Sequence, residues 1–464
     1  MNFAYNSEDT IVALSTPMGN GAIAVIRVSG INCFSIINKI IFKKITKQFA
    51  RRAIYCEVYD VDRTVVIDKV VLTVFVSPNS YTGEDLIEIS CHCNPLIIDA
   101  IIEQVTSLGA RVANPGEFTL RAYLNNKIDL SQAEAVAAVI NAKTKQGLFQ
   151  SQRHLDGKFS RIIEDIQNEI LKYLSLIEIN LDFSDEEIET ISLERFEANL
   201  NLIIDQLKHL LETYDYGRLL QEGIKLLILG KPNTGKSSLL NYFVGKERAI
   251  VSNIPGTTRD YIEESFLLRG INLRLVDSAG IRDSQDEIEK LGIIRAKDQL
   301  QSSDVVICMF EAHKSLDDDD QRLIRLTQES RQSQFIIYVA NKIDMGEHAE
   351  TIGYLSDLND STISTSVKFS TGLDRLENMI ASKLIKDNGL ESEEIVVTSS
   401  RHKKLLQETL KALEGACDAL KSFSSEEIIA VDLRTALDRL GEITGEVTTE
   451  DVLNHIFSSF CIGK

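Results

Sequence analysis

One octapeptide constrains this chain more than anything else in it: Gly230-Lys231-Pro232-Asn233-Thr234-Gly235-Lys236-Ser237, directly after the apolar run at 226–229. It matches G-x-x-x-x-G-K-[ST]. Between a buried strand and a helix start, such a loop curls its backbone N–H groups around phosphate oxygens. The glycines permit the curl, Lys236 sets a point charge against the β and γ phosphates, and the Ser237 hydroxyl serves Mg2+. The helix opening there, through Ser237 and Ser238, adds the positive end of its dipole. Apolar runs at 226–229, 273–276, 305–310 and 335–340 alternate with helical stretches across 217–388. That is the signature of a doubly wound parallel sheet, here an inserted Ras-like P-loop domain.

Three further segments follow in the order a GTPase needs. Thr257-Thr258, after Ser252-Asn253-Ile254-Pro255-Gly256, offers a second hydroxyl to Mg2+ through Thr258. Asp277-Ser278-Ala279-Gly280 closes a strand; Asp277 is expected to hold the metal through water, and the Gly280 amide to sense the γ phosphate. Asn341-Lys342-Ile343-Asp344 closes another. There the Asp344 carboxylate accepts two hydrogen bonds from the N1 and N2 edge of guanine, which adenine does not supply. Ser366-Val367-Lys368 stands where a last guanine-contacting loop belongs. The nucleotide is therefore GTP. Its hydrolysis is less legible. Ile281 follows Gly280, so the water-orienting glutamine of Ras-type enzymes is missing. Asp283, Asp286, Glu287 and Glu289 all lie nearby, as do Arg259 and Arg282, and spacing does not choose among them.

At about 150 residues per domain, 464 residues make roughly three domains. Residues 1–127 mix β-branched runs, as at 23–28 and 69–76, with turn residues, and read as an α+β domain. Residues 158–216 carry neither Gly nor Pro and repeat apolar side chains at helical spacing, which predicts two long helices around the acidic stretch 182–189. Helical texture returns at 405–420 and 431–440. One helical domain, 128–216 and 389–464, interrupted by the α/β domain at 217–388, accounts for both pieces. Asp317-Asp318-Asp319-Asp320 reads as a solvated loop or a helix start. The net charge of −19 weighs against wholesale coating of nucleic acid. Seven scattered cysteines read as reduced thiols, Glu8 and Asp9 argue against a secretory signal, and no run approaches 18 apolar residues. A cytoplasmic protein without a membrane span is expected. Cys91-His92-Cys93 reads as strand interior rather than a metal site.

Several blocks go beyond the nucleotide motifs: Ser80-Tyr81-Thr82-Gly83-Glu84-Asp85, Pro115-Gly116-Glu117-Phe118-Thr119, residues 121–130, Gln132-Ala133-Glu134-Ala135 and the closing Cys461-Ile462-Gly463-Lys464. With them the chain resembles, end to end, the MnmE (TrmE) family of tRNA modification GTPases. The resemblance implies a homodimer paired through the N-terminal domains, in complex with the FAD-dependent partner MnmG as a heterotetramer or larger. Together such proteins place an aminomethyl or carboxymethylaminomethyl group on C5 of the wobble uridine, position 34, of certain tRNAs. The one-carbon unit comes from 5-formyl- or 5,10-methylene-tetrahydrofolate, and by motif position Arg27, Glu88, Lys127 and Lys464 match the folate contacts. K+ replaces an arginine finger, with Asn233, Ser252, Ile254 and Thr257 matching its ligands, and Glu289 matches the water-orienting glutamate. Cys461 matches a cysteine important for modification. His92-Cys93-Asn94 departs from the more usual His-Gly-Gly. A ribosome-assembly GTPase of the Era or Der type is the alternative; the absence of a second G domain or a GXXG loop after residue 388 weighs against it.

Overall fold

The computed structural model describes residues 9–19, 21–182, 193–246, 265–276, 299–329, 334–358, 362–386, 394–422 and 425–464. They fall into two compact units. The first is drawn from Met1–Asn141, Ser151–Leu207 and Lys404–Lys464, the second from Ala142–Gln150 and Lys208–Lys403.

The first unit opens with a six-stranded sheet: β1 (Ile11–Leu14), β2 (Ile23–Ser29), β3 (Ala53–Tyr59), β4 (Val66–Phe75), β5 (Leu86–His92) and β6 (Arg111–Val112). Their spatial order is β3-β4-β5-β2-β1-β6, antiparallel throughout except for the parallel β1–β6 pair. Alternation along each strand sorts its side chains between two faces. Ala24, Ile26 and Val28, Ile54, Cys56 and Val58, and Val70, Leu72 and Val74 turn inward against helices α1 (Cys33–Ile40) and α2 (Pro95–Ser107). A third helix, α3 (Glu117–Leu124), follows β6.

Beyond it come α4 (Leu130–Asn141), α5 (Lys145–Leu155), α6 (Lys158–Asp182) and α7 (Leu193–Glu212). The helix α6 buries Ile163, Ile166, Ile170, Leu174 and Ile177 along one stripe, as its periodicity requires. The expected pair of long helices is present; the acidic residues 183–189 lie outside the described residues.

The second unit is built on α8 (Tyr214–Glu222), β7 (Ile224–Gly230), α9 (Lys236–Lys246), β8 (Ser265–Leu268), β9 (Ile271–Leu275), β10 (Val305–Glu311), α10 (Asp318–Glu329), β11 (Phe335–Asn341), α11 (Ala349–Leu358), β12 (Thr362–Thr365) and α12 (Leu373–Lys386). The sheet order is β12-β11-β10-β7-β9-β8, parallel except for β8 against β9. Both faces of β10 are covered: Val305, Ile307 and Met309 enter one core, and Val306, Cys308 and Phe310 the other. That is why the strand reads as a continuous apolar run rather than an alternation.

The chain then returns to the first unit through α13 (Ser400–Lys421), α14 (Glu426–Thr444) and α15 (Glu450–Ser458). Leu433, Ala436, Leu440 and Ile443 of α14 are buried, and the helix packs on α6. Among the described residues no helix is long and apolar enough to cross a membrane. The architecture is thus an N-terminal α+β domain followed by a helical domain that an inserted P-loop α/β domain interrupts.

Candidate functional site: a nucleotide loop and a seated C-terminal segment

In the second unit β7 is central, hydrogen-bonded to β10 on one side and β9 on the other, so the loop leaving its carboxyl end lies at the topological switch of the sheet. Three residues of that loop take positive φ: Gly230 (+152°), Asn233 (+66°) and Gly235 (+106°). Two of them admit no side chain. A Cβ on Gly230 would lie 2.6 Å from Met309 O, and one on Gly235 would lie 2.3 Å from Asn341 Nδ2. Lys236 Nζ donates to Gly230 O and Lys231 O, both at 2.8 Å, so its ammonium is held over the loop; burial lowers its pKa.

Asn341, at the end of β11 and 2% exposed, is the hub of the site. Its Nδ2 donates to Thr234 O at 2.8 Å, while its Oδ1 accepts from Val367 N at 3.1 Å and Thr365 Oγ1 at 3.2 Å. One side chain therefore ties the phosphate loop to the 366–368 loop. Ser366 Oγ donates to Asp344 Oδ1 at 2.6 Å and orients that carboxylate. Lys342, in the left-handed region at φ +67°, pairs its ammonium with Glu311. Burial alone would raise the Glu311 carboxyl, but the ammonium groups of Lys314 and Lys342 outweigh it and hold the pKa below the ordinary value. Lys368 Nζ lies 5.2 Å from the centre of the Phe369 ring. Thr234, Asn341, Asp344, Ser366 and Val367 are thus brought together.

The acidic run 317–320 is a helix start with a second task. Asp317 Oδ1 accepts from the amides of Asp319 and Asp320, both at 3.1 Å, and so caps α10. Asp320 is 5% exposed, and Lys231 Nζ of the phosphate loop lies 2.5 Å from Asp317 Oδ2 and 2.7 Å from Asp320 Oδ2. Hydrogen bonding from Lys231 holds Asp317 down at about 2. Ser252, Asn253, Ile254, Pro255, Gly256, Thr257, Thr258, Asp277, Ser278, Ala279, Gly280 and Glu289, with Arg259 and Arg282, lie outside the described residues.

In the first unit Arg27 on β2 stands directly opposite Glu88 on β5, with Nε 2.8 Å from Oε1. The Arg27 guanidinium sits 5.3 Å from the centre of the Tyr81 ring, whose hydroxyl meets Thr119 Oγ1 at 2.8 Å. Lys127 Nζ donates to Pro78 O at 3.0 Å, at the other end of the loop that carries Tyr81.

Residues 461–464 are threaded between β1 and the turn before α3. Gly116 N donates to Cys461 O (3.3 Å), Phe118 N to Lys464 O (3.2 Å) and Ser15 Oγ to Gly463 O (2.9 Å). Gly463 has φ +94°, and a Cβ there would lie 2.0 Å from Leu14 O. Burial lowers the pKa of Lys464, the Arg27 guanidinium adds to the effect and Cys461 opposes it, so the two cations share one locality. Cys461 is exposed. Burial pushes Cys33 and Cys308 up to about 12 and Cys56 and Cys91 up to about 11.

Cys91 and His92 take opposite faces of β5. Cys91 is buried, whereas His92 is exposed and meets Asp68 Oδ1 through Nδ1 at 2.7 Å. Asn94 caps α2 by accepting from Leu96 N at 2.9 Å, with φ −120°, so the departure at 92–94 serves a helix start that needs no glycine. Motif reading gave no role to Ser15, which holds Gly463 O, or to Glu84, Arg111, Glu117 and Arg121, which join in an ionic network described below. Glu84 and Glu117 lie within the quoted blocks, but charge alone marks no partner for them.

A family model described as the MnmE helical domain matches residues 130–461, and one described as the GTP-binding protein TrmE N-terminus matches residues 10–127. The tRNA modification GTPase MnmE of Acetivibrio thermocellus is 39% identical over 460 residues, spanning 98% of this chain and 99% of the relative. That of Carboxydothermus hydrogenoformans is 37% identical over 465 residues, 98% of this chain and all of the relative. Family models over residues 10–127 and 130–461, and relatives that match 98% of its length, agree with the nucleotide-site geometry: the chain belongs to the MnmE family of tRNA modification GTPases.

Proposed function

We propose that this protein hydrolyses GTP in the course of modifying C5 of the wobble uridine, position 34, of certain tRNAs, adding an aminomethyl or carboxymethylaminomethyl group together with a FAD-dependent, MnmG-type partner. The observation that carries the reading is the seating of residues 461–464, with Cys461 exposed and Lys464 beside Arg27, in the same unit as the Arg27–Glu88 pair. A pure binding switch has no use for an exposed thiol three residues from a lysine that feels the Arg27 of an arginine–glutamate pair. The same arrangement suits 5-formyl- or 5,10-methylene-tetrahydrofolate: the glutamate tail takes cations, and the pterin takes a carboxylate acceptor. Arg27, Glu88, Lys127 and Lys464 are its proposed contacts, and Cys461 acts in the modification.

On the nucleotide side, Lys236, Ser237 and Thr258 serve the phosphates and Mg2+, and Asp344 reads guanine. Asn233, Ser252, Ile254 and Thr257 hold K+, and Glu289 orients the attacking water. The division into 1–127, 128–216, 217–388 and 389–464 and a cytoplasmic location complete the reading. A homodimer paired through the N-terminal domains belongs to the same reading.

Isothermal calorimetry with 5-formyl-tetrahydrofolate tests the site. Wild-type protein gives heat, and Arg27→Ala and Lys127→Ala each lose it; no heat with wild type removes the folate contacts from the proposal. GTP turnover higher in KCl than in NaCl at equal ionic strength supports K+, and equal rates remove it.

A further inference from the structure

Arg121 on α3 is fully buried, an environment in which an ion costs several kcal/mol unless its partners are well placed. They are. Its Nη1 lies 2.9 Å from Glu84 Oε2, 3.1 Å from Glu84 Oε1 and 2.9 Å from Asp9 O, and its Nη2 lies 3.0 Å from Glu117 Oε1. Glu117 is also gripped by Arg111 in a two-point fork at 2.7 and 2.8 Å and accepts from Asn114 N at 2.8 Å. Arg111 Nε reaches back to Asp9 Oδ2 at 2.8 Å. Glu84 accepts from Ser29 Oγ at 2.8 Å, and that hydroxyl meets Thr82 Oγ1 at 2.7 Å.

The two carboxylates belong to different walls. Glu84 lies in the 77–85 loop, which supplies Tyr81 beneath Arg27 and Pro78 O to Lys127. Glu117 begins α3, in the turn whose amides at Gly116 and Phe118 receive Cys461 O and Lys464 O. One guanidinium joins them. Buried ion pairs are often replaceable by apolar groups of similar volume without loss of stability, so stability alone does not account for these charges, which join two loops.

We propose that Arg121, with Glu84 and Glu117, acts as a positioning device that couples the 77–85 loop to the seat of residues 461–464. The identity of the ligand gripped between these walls rests on the folate reading above; the coupling does not.

Hydrogen exchange by mass spectrometry on the full chain tests it with Glu84→Gln and Glu117→Gln, each of which removes one charge and keeps the shape. Each substitution is expected to speed exchange at least about fivefold in peptides from both 77–85 and 459–464, while peptides from α13 stay as in wild type. Loosening of only the near segment by each variant would overturn the coupling, as would no change in either. If Glu117→Gln does not fold, Glu84→Gln alone decides the matter through the 459–464 peptide. Calorimetry with 5-formyl-tetrahydrofolate runs alongside. Loosening of both segments in a protein whose wild type gives no heat upholds the coupling and sinks the folate reading. Full heat in variants whose two segments are both loosened would overturn the positioning role.

Discussion

Replacing Asn341 by alanine takes apart the nucleotide site from inside. The side chain holds Thr234 O, Val367 N and Thr365 Oγ1, and Thr234 is 1% exposed. Counting the backbone groups alone, the Thr234 carbonyl and the Val367 amide are left without that partner. An orphaned buried group costs about 1–3 kcal/mol, and water reaching half-buried Val367 reduces its share, so the sum is about 2–4 kcal/mol. Felt in full on binding this would be at most about 30- to 1000-fold in nucleotide affinity, and whatever share falls on the nucleotide-free fold appears as lost stability instead. Fluorescence titration with labelled GDP and GTP should show the loss for both, because neither tie lies at the γ phosphate. The same bonds exist without nucleotide. Nucleotide-free Asn341→Ala should therefore melt up to about 4–16 °C lower in the second unit, at roughly 2–4 °C per kcal/mol for a unit of this size. An unchanged melt would mean that Asn341 acts only as a ligand contact and would refute the hub. A binding loss confined to GTP would refute it equally.

Three other outcomes follow from the geometry. Gly463→Ala puts a methyl 2.0 Å from Leu14 O at φ +94°, so it should mimic Cys461→Ser in tRNA modification while GTP turnover is retained; normal modification would show that the segment is not seated in the working enzyme. Asp320→Asn weakens the Lys231 contact and should speed GDP release about fivefold, the equivalent of ~1 kcal/mol once the partial exposure of Lys231 is discounted; stopped-flow release at the wild-type rate would limit Asp320 to capping α10. Burial raises the Glu117 carboxyl, but Arg111, the Asn114 amide and Arg121 together bring its pKa below the ordinary value. A carboxyl depressed on folding stabilises above its unfolded pKa, and that contribution is lost as pH falls through the folded one. The melting temperature of the first unit should thus fall as pH drops below about 4.3, and Glu117→Gln should flatten that fall. An identical pH profile in the variant would place the acid sensitivity elsewhere.

The nucleotide site was legible because its chemistry is local. Gly230 to Ser237 is one unbroken loop, and Asn341 to Asp344 one strand end, so spacing carries the geometry. The helices 158–182 and 400–421 were legible for a similar reason, since their apolar period needs no distant partner. Contacts far apart in the chain were not. Asp320 gives no sign in sequence that it will be buried, because the lysine that neutralises it comes from the phosphate loop. Arg121, Glu84 and Asp9 are unremarkable charges until the sheet brings β1 and the 77–85 loop to α3. Residues 461–464 were singled out by resemblance, yet only the fold reveals that Gly463 has no room for a side chain against Leu14. The Cys91-His92-Cys93 run reads as strand interior, but β5 ends at His92, so of the three only Cys91 is buried in the strand, and Cys93 lies beyond its end.

The most direct test of the account is nucleoside mass spectrometry of bulk tRNA from a strain lacking this gene, rescued with wild type or with Cys461→Ser. The account predicts that the C5-modified wobble uridine disappears on deletion, returns with wild type and does not return with Cys461→Ser. Unchanged nucleosides on deletion would contradict it.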